Sequence, residues 1–491
     1  MTAAVDPDRS VWDVIVLGGA AAGENAAQYA SQFSGLSSVL VENSLLGGEC
    51  SYWACMPSKA LLRPVEVVDA AAHLPGVSAR LEAADVLARR DQVINHLDDG
   101  SQVSWALGTG IDVVRGYGRL AGERTVVVSR PDGAVRTLTA RHAVVVDTGS
   151  RPAVPDVPGL RAALPWTSRD VTTMREVPHR VVVMGGGVVA CEAATWLRGL
   201  GSSEVSVVYR GERLLARLEP FAGTLVGESL QESGVRLHPG RNLSRVQRTG
   251  PRDTGEGHLH GGEISAALDD GTVLVADEVV VATGRIPNTE DIGLDTVGLR
   301  PGGYLRVDDH QCVQGANDGW LYAIGDVCGR ALLTHMGKYQ ARIAGEVIAA
   351  RAHGSAELPS SAAGHLGLPQ VVFTSPEVGS AGMTERQAWD AGLDVEVVEY
   401  DLAALAGTYV MRADYRGRAK LVVDRTDDVV VGATFVGAGI AELVHSATMA
   451  IVGRIPLSML WHVVPSYPTV SEIWLRLHEA LRSQRHTGEG Q

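Results

Sequence analysis

The chain has 491 residues, an apolar fraction of 45% and a formal net charge of −14. This length exceeds one ordinary core and predicts about two to four domains. The negative charge argues against nucleic acid or an anionic membrane as partner, the acidic opening residues lack the apolar core of a signal peptide, and no apolar run approaches the about 18 residues of a membrane helix.

Residues 11–17, Val-Trp-Asp-Val-Ile-Val-Leu, read as a buried strand. Gly18-Gly-Ala-Ala-Ala-Gly23 is a tight turn, 24–34 a helix, and 38–42 a second strand ending in Glu42. This is a βαβ unit of the dinucleotide-binding type, in which glycines let the backbone approach a pyrophosphate at the helix N-terminus. Glu42, roughly 20 residues on, is placed to accept the ribose hydroxyls.

Next comes Gly47-Gly-Glu-Cys50-Ser-Tyr-Trp-Ala-Cys55-Met-Pro-Ser-Lys59. Five residues of regular helix would turn the second sulfur about 140° from the first. A disulfide needs Cα atoms within about 7 Å. For the pair to join, the segment must bend, and Gly47, Gly48 and Pro57 stand where bending is cheap. A redox dithiol, two buried structural cysteines and half of a zinc site are all compatible with the pair alone. No second Cys pair and no His-x3–5-His pair follows nearby, His73 and His96 standing alone, so no metal site is expected. Five cysteines in so large a chain are no disulfide scaffold. They fit a reducing cytoplasm, where a joined pair would be a working redox couple.

The strand–glycine turn–helix pattern recurs. Residues 179–184 form a strand, Gly185-Gly-Gly-Val-Val-Ala190 the turn, and 191–200 a helix. Residues 205–209 form the next strand, followed by Arg210. Two such fingerprints imply two dinucleotide sites. Strands at 143–146 and 278–282 each run into a Thr-Gly turn, Thr148-Gly149 and Thr283-Gly284, with a proline soon after. Each reads as a crossover between domains. Residues 249–263 are a polar, Gly-rich hairpin loop. Residues 320–326 are a strand ending in Asp326, and 334–352 a long helix. Residues 358–367 read as a linker. Beyond it, short strands at 371–374, 395–400, 419–424 and 429–436 meet helices at 441–452 and 471–481, an α+β pattern. A polar tail is expected from Ser483.

These residues resemble the pyridine nucleotide–disulfide oxidoreductases, a group that includes dihydrolipoamide dehydrogenase, glutathione reductase and mercuric reductase. The resemblance rests on the Cys50-x4-Cys55-x-Pro-Ser-Lys59 run, both glycine turns, both Thr-Gly turns, Ala323-Ile-Gly-Asp326 and Val372-Phe-Thr-Ser-Pro-Glu-Val-Gly379. It covers about residues 11–482. It implies an α/β fold with two Rossmann-like domains, for FAD and NAD(P), and a C-terminal α+β dimerisation domain. The expected boundaries are 11–165 and 288–357 for the FAD-binding and central parts, 166–287 for NAD(P), 368–485 for dimerisation and 486–491 for a disordered tail.

The resemblance also implies a homodimer in which electrons pass from NAD(P)H through FAD and a Cys50–Cys55 disulfide to an acceptor. Gly18, Gly23, Glu42, Thr148, Gly149 and Asp326 would bind FAD. Cys55 would be the thiolate beside the flavin and Cys50 the interchange thiol. Lys59 and Glu192 would pair near the flavin. Gly185, Gly187, Ala190 and Gly284 would serve the nicotinamide cofactor. An acidic residue after the second strand of that domain would favour NAD. Tyr209-Arg210 stands there instead, with Arg213 and Arg217 behind, and arginines grip a 2′-phosphate. NADPH is therefore favoured over NADH.

The chain departs from the family pattern in three places. Pro465-Ser-Tyr467-Pro-Thr-Val-Ser-Glu472 matches the catalytic His-Pro-Thr-x-Ser-Glu run, but Tyr467 replaces the histidine. Histidine titrates near neutrality and shuttles protons, whereas a tyrosine side chain ordinarily titrates near about 10. Glu472 could bond the phenol in place of an imidazole, and the lone His462 lies nearby. Ala20 replaces a glycine of the first turn, and Asp147 an alanine before Thr148-Gly149, the latter without an evident sequence-level reason. The expected acceptor is a small disulfide. The Tyr467 replacement raises a quinone or other electrophile as the alternative, and a non-catalytic flavoprotein subunit is the third.

Overall fold

The computed structural model describes residues 9–488. In chain order, the apolar opening run forms β1 (Val11–Leu17). After the glycine turn comes α1 (Ala21–Ser31), and then β2 (Ser38–Glu42). A short helix α2 (Gly48–Tyr52) and a long α3 (Cys55–Ala72) follow. Next are β3 (Ile111–Arg115), β4 (Tyr117–Leu120), β5 (Thr125–Ser129), β6 (Val135–Val146) and β7 (Ser150–Pro152). The middle of the chain holds β8 (Arg180–Met184), the helix Val188–Gly199, β9 (Glu204–Tyr209), β10 (Arg236–Pro239), β11 (Leu243–Arg248), β12 (Ile264–Leu268), β13 (Val273–Ala276) and β14 (Glu278–Val281). The remainder comprises β15 (Arg285–Pro287), β16 (Leu321–Ala323), the helix Thr334–Ala352, then β17 (Pro369–Val372), β18 (Glu377–Gly382), β19 (Val395–Asp401), β20 (Arg418–Asp424) and β21 (Val429–Gly437).

These elements form two compact units. One comprises the chain up to Pro57 with Asp91–Pro152 and Arg285–Ala362. Its main sheet has the order β3-β2-β1-β6-β5-β4, with β16 also on β6. Strands β3, β2, β1, β6 and β16 are mutually parallel. Because successive side chains point to opposite faces, Trp12, Ile15 and Leu17 enter one core while Val14 and Val16 enter the other. The second core includes Ala22, Ala26, Ala27 and Ala30 of α1, and Ala341, Ala344 and Val347 of the helix Thr334–Ala352. Leu17 pairs with Val146, and Val146 with Ala323. The turns after β1, β6 and β16 therefore leave the sheet side by side at its carboxyl edge, where ligands bind in open α/β sheets.

The other unit comprises Ser58–Arg90, Ala153–Gly284 and the chain from Ala363. It holds a parallel sheet β10-β9-β8-β14, an antiparallel sheet β11-β12-β13, and an antiparallel five-stranded sheet β17-β18-β21-β20-β19. Strands β11 and β12 form the expected hairpin, and 249–263 is its loop. The two parallel sheets with glycine turns and the C-terminal α+β sheet match the fold class expected from the sequence. The last helix differs from expectation. Ile473–Gly488 is continuous where a polar tail was expected from Ser483. Arg485 is the reason, since its guanidinium pairs with Glu396 and Asp428 and holds the final turns.

Strand β14 feeds the second Thr-Gly turn, and its first residue is anchored by charge. Glu278 and Arg248 of β11 form an ion pair with both side chains fully buried. Arg248 also donates to the Ala163 carbonyl at 2.8 Å. Burial pushes the Glu278 carboxyl up to about 7 against the pull of Arg248. Deleting one partner strands the other charge. Arg248→Met is expected to cost about 3–5 kcal/mol in urea denaturation, and Arg248→Met/Glu278→Leu to recover most of it. Equal losses in the single and double variants would refute this account.

Candidate functional site

The glycine turn after β1 is shaped by contacts that exclude side chains. Gly18 has φ +103°, and a Cβ there would stand 2.1 Å from the Asp147 carbonyl oxygen. This crowding holds the turn against the end of β6. Glu42, at the end of β2, accepts from the Gly19 amide at 2.8 Å and from the Ser44 amide at 2.6 Å. Each carboxylate oxygen keeps a further acceptor position, so Glu42 can still take ribose hydroxyls. Gly23 lies in the first turn of α1, where its amide donates to Asp147 Oδ2 at 2.6 Å. Glu24 follows it. Its Oε1 is buried with no partner among the described residues, and burial pushes its carboxyl up to about 7, eased by Lys338 and reinforced by Glu42.

On the adjoining turns, Thr148 Oγ1 donates to the Asn288 carbonyl at 2.8 Å, and the Gly149 carbonyl accepts from the Asn288 amide at 3.0 Å. Asp326 Oδ2 accepts from Ser150 Oγ at 2.5 Å. Arg285 reaches both Ser150 and Glu49, and lies 3.6 Å from Asp326. Burial raises the Asp326 carboxyl despite these partners. The narrow turn, the acceptor at Glu42 and the unpartnered carboxyl oxygen of Glu24 fit the ADP half of FAD.

Cys50 and Cys55 lie in the same unit. Gly47 and Gly48 have φ +108° and +63°, so the chain bends into α2 there. Gly48 is packed on Ala20, and a Cβ at Gly48 would meet the Ala20 Cβ at 2.5 Å. Helix α2 ends at Tyr52, and Trp53 breaks it with φ −131° and ψ −1°. Tyr52 and Trp53 are buried against Ile94, Leu45 and Leu97, so they pack the break. Cys55 opens α3, where backbone N–H dipoles favour a negative sulfur. Across the break the two sulfurs meet. Cys50 is hydrogen-bonded to Cys55 and to Thr334, and Cys55 Sγ is 3.3 Å from Thr334 Oγ1. The bond to Cys55 and then burial hold the Cys50 thiol well above its ordinary range, opposed by Thr334 and Lys338.

In the other unit, Lys59 Nζ is 2.8 Å from Glu192 Oε2 and 3.1 Å from Oε1. Glu192 is buried, and its Oε1 also accepts from the Phe373 amide at 3.0 Å. Lys59 Nζ stands 4.8 Å from the centre of the Phe373 ring. The second glycine turn repeats the logic of the first. Gly185 has φ +134°, Gly187 caps the helix Val188–Gly199, Ala190 is buried beneath, and the backbone around Gly187 is open. Strand β9 ends at Tyr209. Arg210, Arg213 and Arg217 follow it on the surface, and none is in an ion pair among the described residues. Gly284 closes β14, and its carbonyl accepts from the Ala153 amide at 2.9 Å.

Tyr467 and Glu472 are not brought together within the chain. Tyr467 is 75% exposed. Glu472 is buried, and its Oε1 accepts from Arg476 at 3.1 and 2.6 Å while Oε2 has no partner among the described residues. The phenol bond considered for Glu472 is therefore absent, because Arg476, one helical turn on, takes that carboxylate. His462 is exposed. Thr334, Glu49, Ser150 and Arg285 were not singled out from the sequence. They reach the site through contacts distant along the chain, and only position hinted at them: Ser150 and Arg285 directly follow the two Thr-Gly turns, and Glu49 precedes Cys50.

The pyridine nucleotide-disulphide oxidoreductase family matches residues 12–354, and its dimerisation domain matches residues 368–478. A dihydrolipoyl dehydrogenase from Chlorobaculum tepidum is 33% identical, over 94% of this chain and 95% of its own length. A glutathione reductase from Burkholderia cepacia is 30% identical, over 95% and 98%. Among solved structures, the flavoprotein disulfide reductase RclA from Escherichia coli superposes with a TM-score of 0.81 at 23% identity, over 96% of this chain and 99% of RclA, a likeness of fold. No helix among the described residues is long and apolar enough to cross a membrane. The chain belongs to the pyridine nucleotide-disulphide oxidoreductase family and is an FAD- and NAD(P)-dependent oxidoreductase.

Proposed function

We propose that this enzyme uses NADPH to reduce a small disulfide through Cys50 and Cys55. The observation that supports it most is the meeting of the two thiols across the α2–α3 break, with Thr334 bonded to both. FAD bound at the first turn, with Gly18, Gly23, Glu42, Thr148, Gly149 and Asp326 around it, supplies the two-electron exchange between the nicotinamide and the sulfurs. The protein's sulfurs do the rest by thiol–disulfide exchange. Cys50 loses its proton and attacks one sulfur of the substrate disulfide, expelling the other half as a thiolate that takes up a proton. Cys55 then attacks Cys50 Sγ, releases the second half and closes the Cys50–Cys55 disulfide. One NADPH and one proton are consumed, and two thiols and NADP+ are produced.

The remaining residues take supporting roles. Lys59 is held by Glu192 as a fixed ammonium for the flavin edge. Gly185, Gly187, Ala190 and Gly284 receive the nicotinamide cofactor's backbone, and Arg210 and Arg213 its 2′-phosphate. The enzyme acts as a homodimer in the cytoplasm, with Tyr467 and Glu472 serving the partner's site. Exposed Met449, Met459, Val463 and Val464 in the dimerisation domain support that assembly.

One observation favours a second reading. Among the described residues Tyr467 has no carboxylate partner, and a phenol is a weaker proton donor to a leaving thiolate than an imidazolium. A quinone or similar electrophile leaves no thiolate and needs no such acid.

Two measurements decide these points. NADPH is expected to give the higher kcat/KM, and Arg210→Ala/Arg213→Ala to raise its KM about tenfold or more while leaving NADH turnover unchanged. A clear preference for NADH would reject the 2′-phosphate assignment. In a panel of disulfides and quinones, Cys50→Ser is expected to abolish disulfide turnover. Should quinone turnover survive that substitution while no disulfide is ever reduced, the second reading replaces the first.

A further inference from the structure

The two departures in the first dinucleotide turn, Ala20 and Asp147, meet at one helix end. Ala20 is the N-cap of α1 and offers no side-chain bond to the helix. The first amides of a helix lack intrahelical partners. At α1 the third of them, from Gly23, is satisfied instead by Asp147 Oδ2, reaching across from the end of β6 at 2.6 Å. Asp147 is 4% exposed. Its other oxygen lies against the third turn, since a Cβ at Gly325 would stand 2.7 Å from Asp147 Oδ1. The carboxyl thus touches the helix and the segment leading to Asp326, while the Asp147 backbone carbonyl crowds the turn after β1.

Its surroundings are acidic on every side. Asp326 from the turn after β16, Glu42 from β2 and Glu24 from α1 all oppose charge on Asp147. The Cys328 thiol also faces it. Lys338, on the helix Thr334–Ala352, acts on Glu24. Burial, ahead of these neighbours, raises the Asp147 carboxyl well above the usual range. A second anion beside the pyrophosphate would add to the repulsion.

We propose that Asp147 is a positioning residue for FAD: its carboxyl caps the Gly23 amide from outside the helix, leaving the Ala21 and Ala22 amides for the pyrophosphate. Ala20 packs on Gly48 at the entry to α2, so the same arrangement joins the cofactor turn to the cysteine segment. This role rests on FAD occupying the first turn.

Equilibrium dialysis of the purified holoenzyme against known FAD concentrations, from pH 6 to 9, tests it by the flavin retained. Wild type is expected to bind FAD less tightly as pH rises, because ionised Asp147 opposes an anionic ligand. Asp147→Asn keeps an acceptor for Gly23 but cannot ionise, so its affinity should fall less over the same range. Glu24 is common to both proteins, so the difference in slope isolates Asp147. Asp147→Ala, which leaves the amide unpaired, should bind at least tenfold more weakly at pH 6. An Asn variant with the wild-type slope, or an Ala variant with wild-type affinity, would overturn the proposal. If the Ala variant does not fold, the Asn slope decides. A wild-type protein that retains no flavin at any pH would instead overturn the FAD site itself.

Discussion

The chemistry of this protein depends on a broken helix. Cys50 and Cys55 are five residues apart, a spacing that regular helix would place on different faces. The chain instead ends α2 at Tyr52 and restarts at Cys55. Tyr52 and Trp53, whose ring centres are 5.7 Å apart, fill the space beneath the break together with Ile94. Apolar packing thus holds a backbone irregularity that brings two sulfurs into contact. Thr334 supplies a hydroxyl to both, from the first residue of a helix whose later turns are packed on α1.

Electrostatics set the tone of the same unit. Glu24, Asp147 and Asp326 are all raised, with burial as the leading cause in each. Buried charge without close compensation is costly, and these groups lower that cost by holding protons or by borrowing donors from Ser150, Gly23 and Arg285. The result is an anion-binding turn lined with acids. Such a turn can receive a pyrophosphate through backbone N–H groups, while burial disfavours charge on its own carboxyls.

Much of this architecture is legible in the sequence because it is local. The runs at 11–17 and 278–281 are apolar apart from Asp13 and Glu278, as strands covered on both faces tend to be. The helix Thr334–Ala352 has the expected bounds. Helix α1 begins at Ala21 rather than residue 24, since the alanines of the turn already take helical angles. Strand β18 (Glu377–Gly382) was recognised only as part of a motif, because Gly379 and Gly382 mask its alternation. Contacts between distant segments left no local trace. Arg285 on Glu49, Thr334 on Cys55 and the Asp147 cap all join residues whose neighbours in sequence say nothing of the partner. Asp147 was visible as an oddity, but its reason is a bond spanning 124 positions.

The same distinction bears on how protons move. Exchange between disulfides creates a thiolate at each step, and a thiolate leaves readily only if its charge is met. Within the chain, Cys50 can be relieved by Thr334 and by the charge of Lys338. The departing half of a substrate disulfide would find no comparable help from the C-terminal segment of the same chain, where Glu472 Oε1 is taken by Arg476 and the Tyr467 ring faces solvent. An acceptor whose reduced form is already stable as an anion would lessen that demand. Disulfides made of acidic thiols, and electron-poor rings, share this property. The acceptor is therefore better sought by the basicity of its reduced product than by its shape.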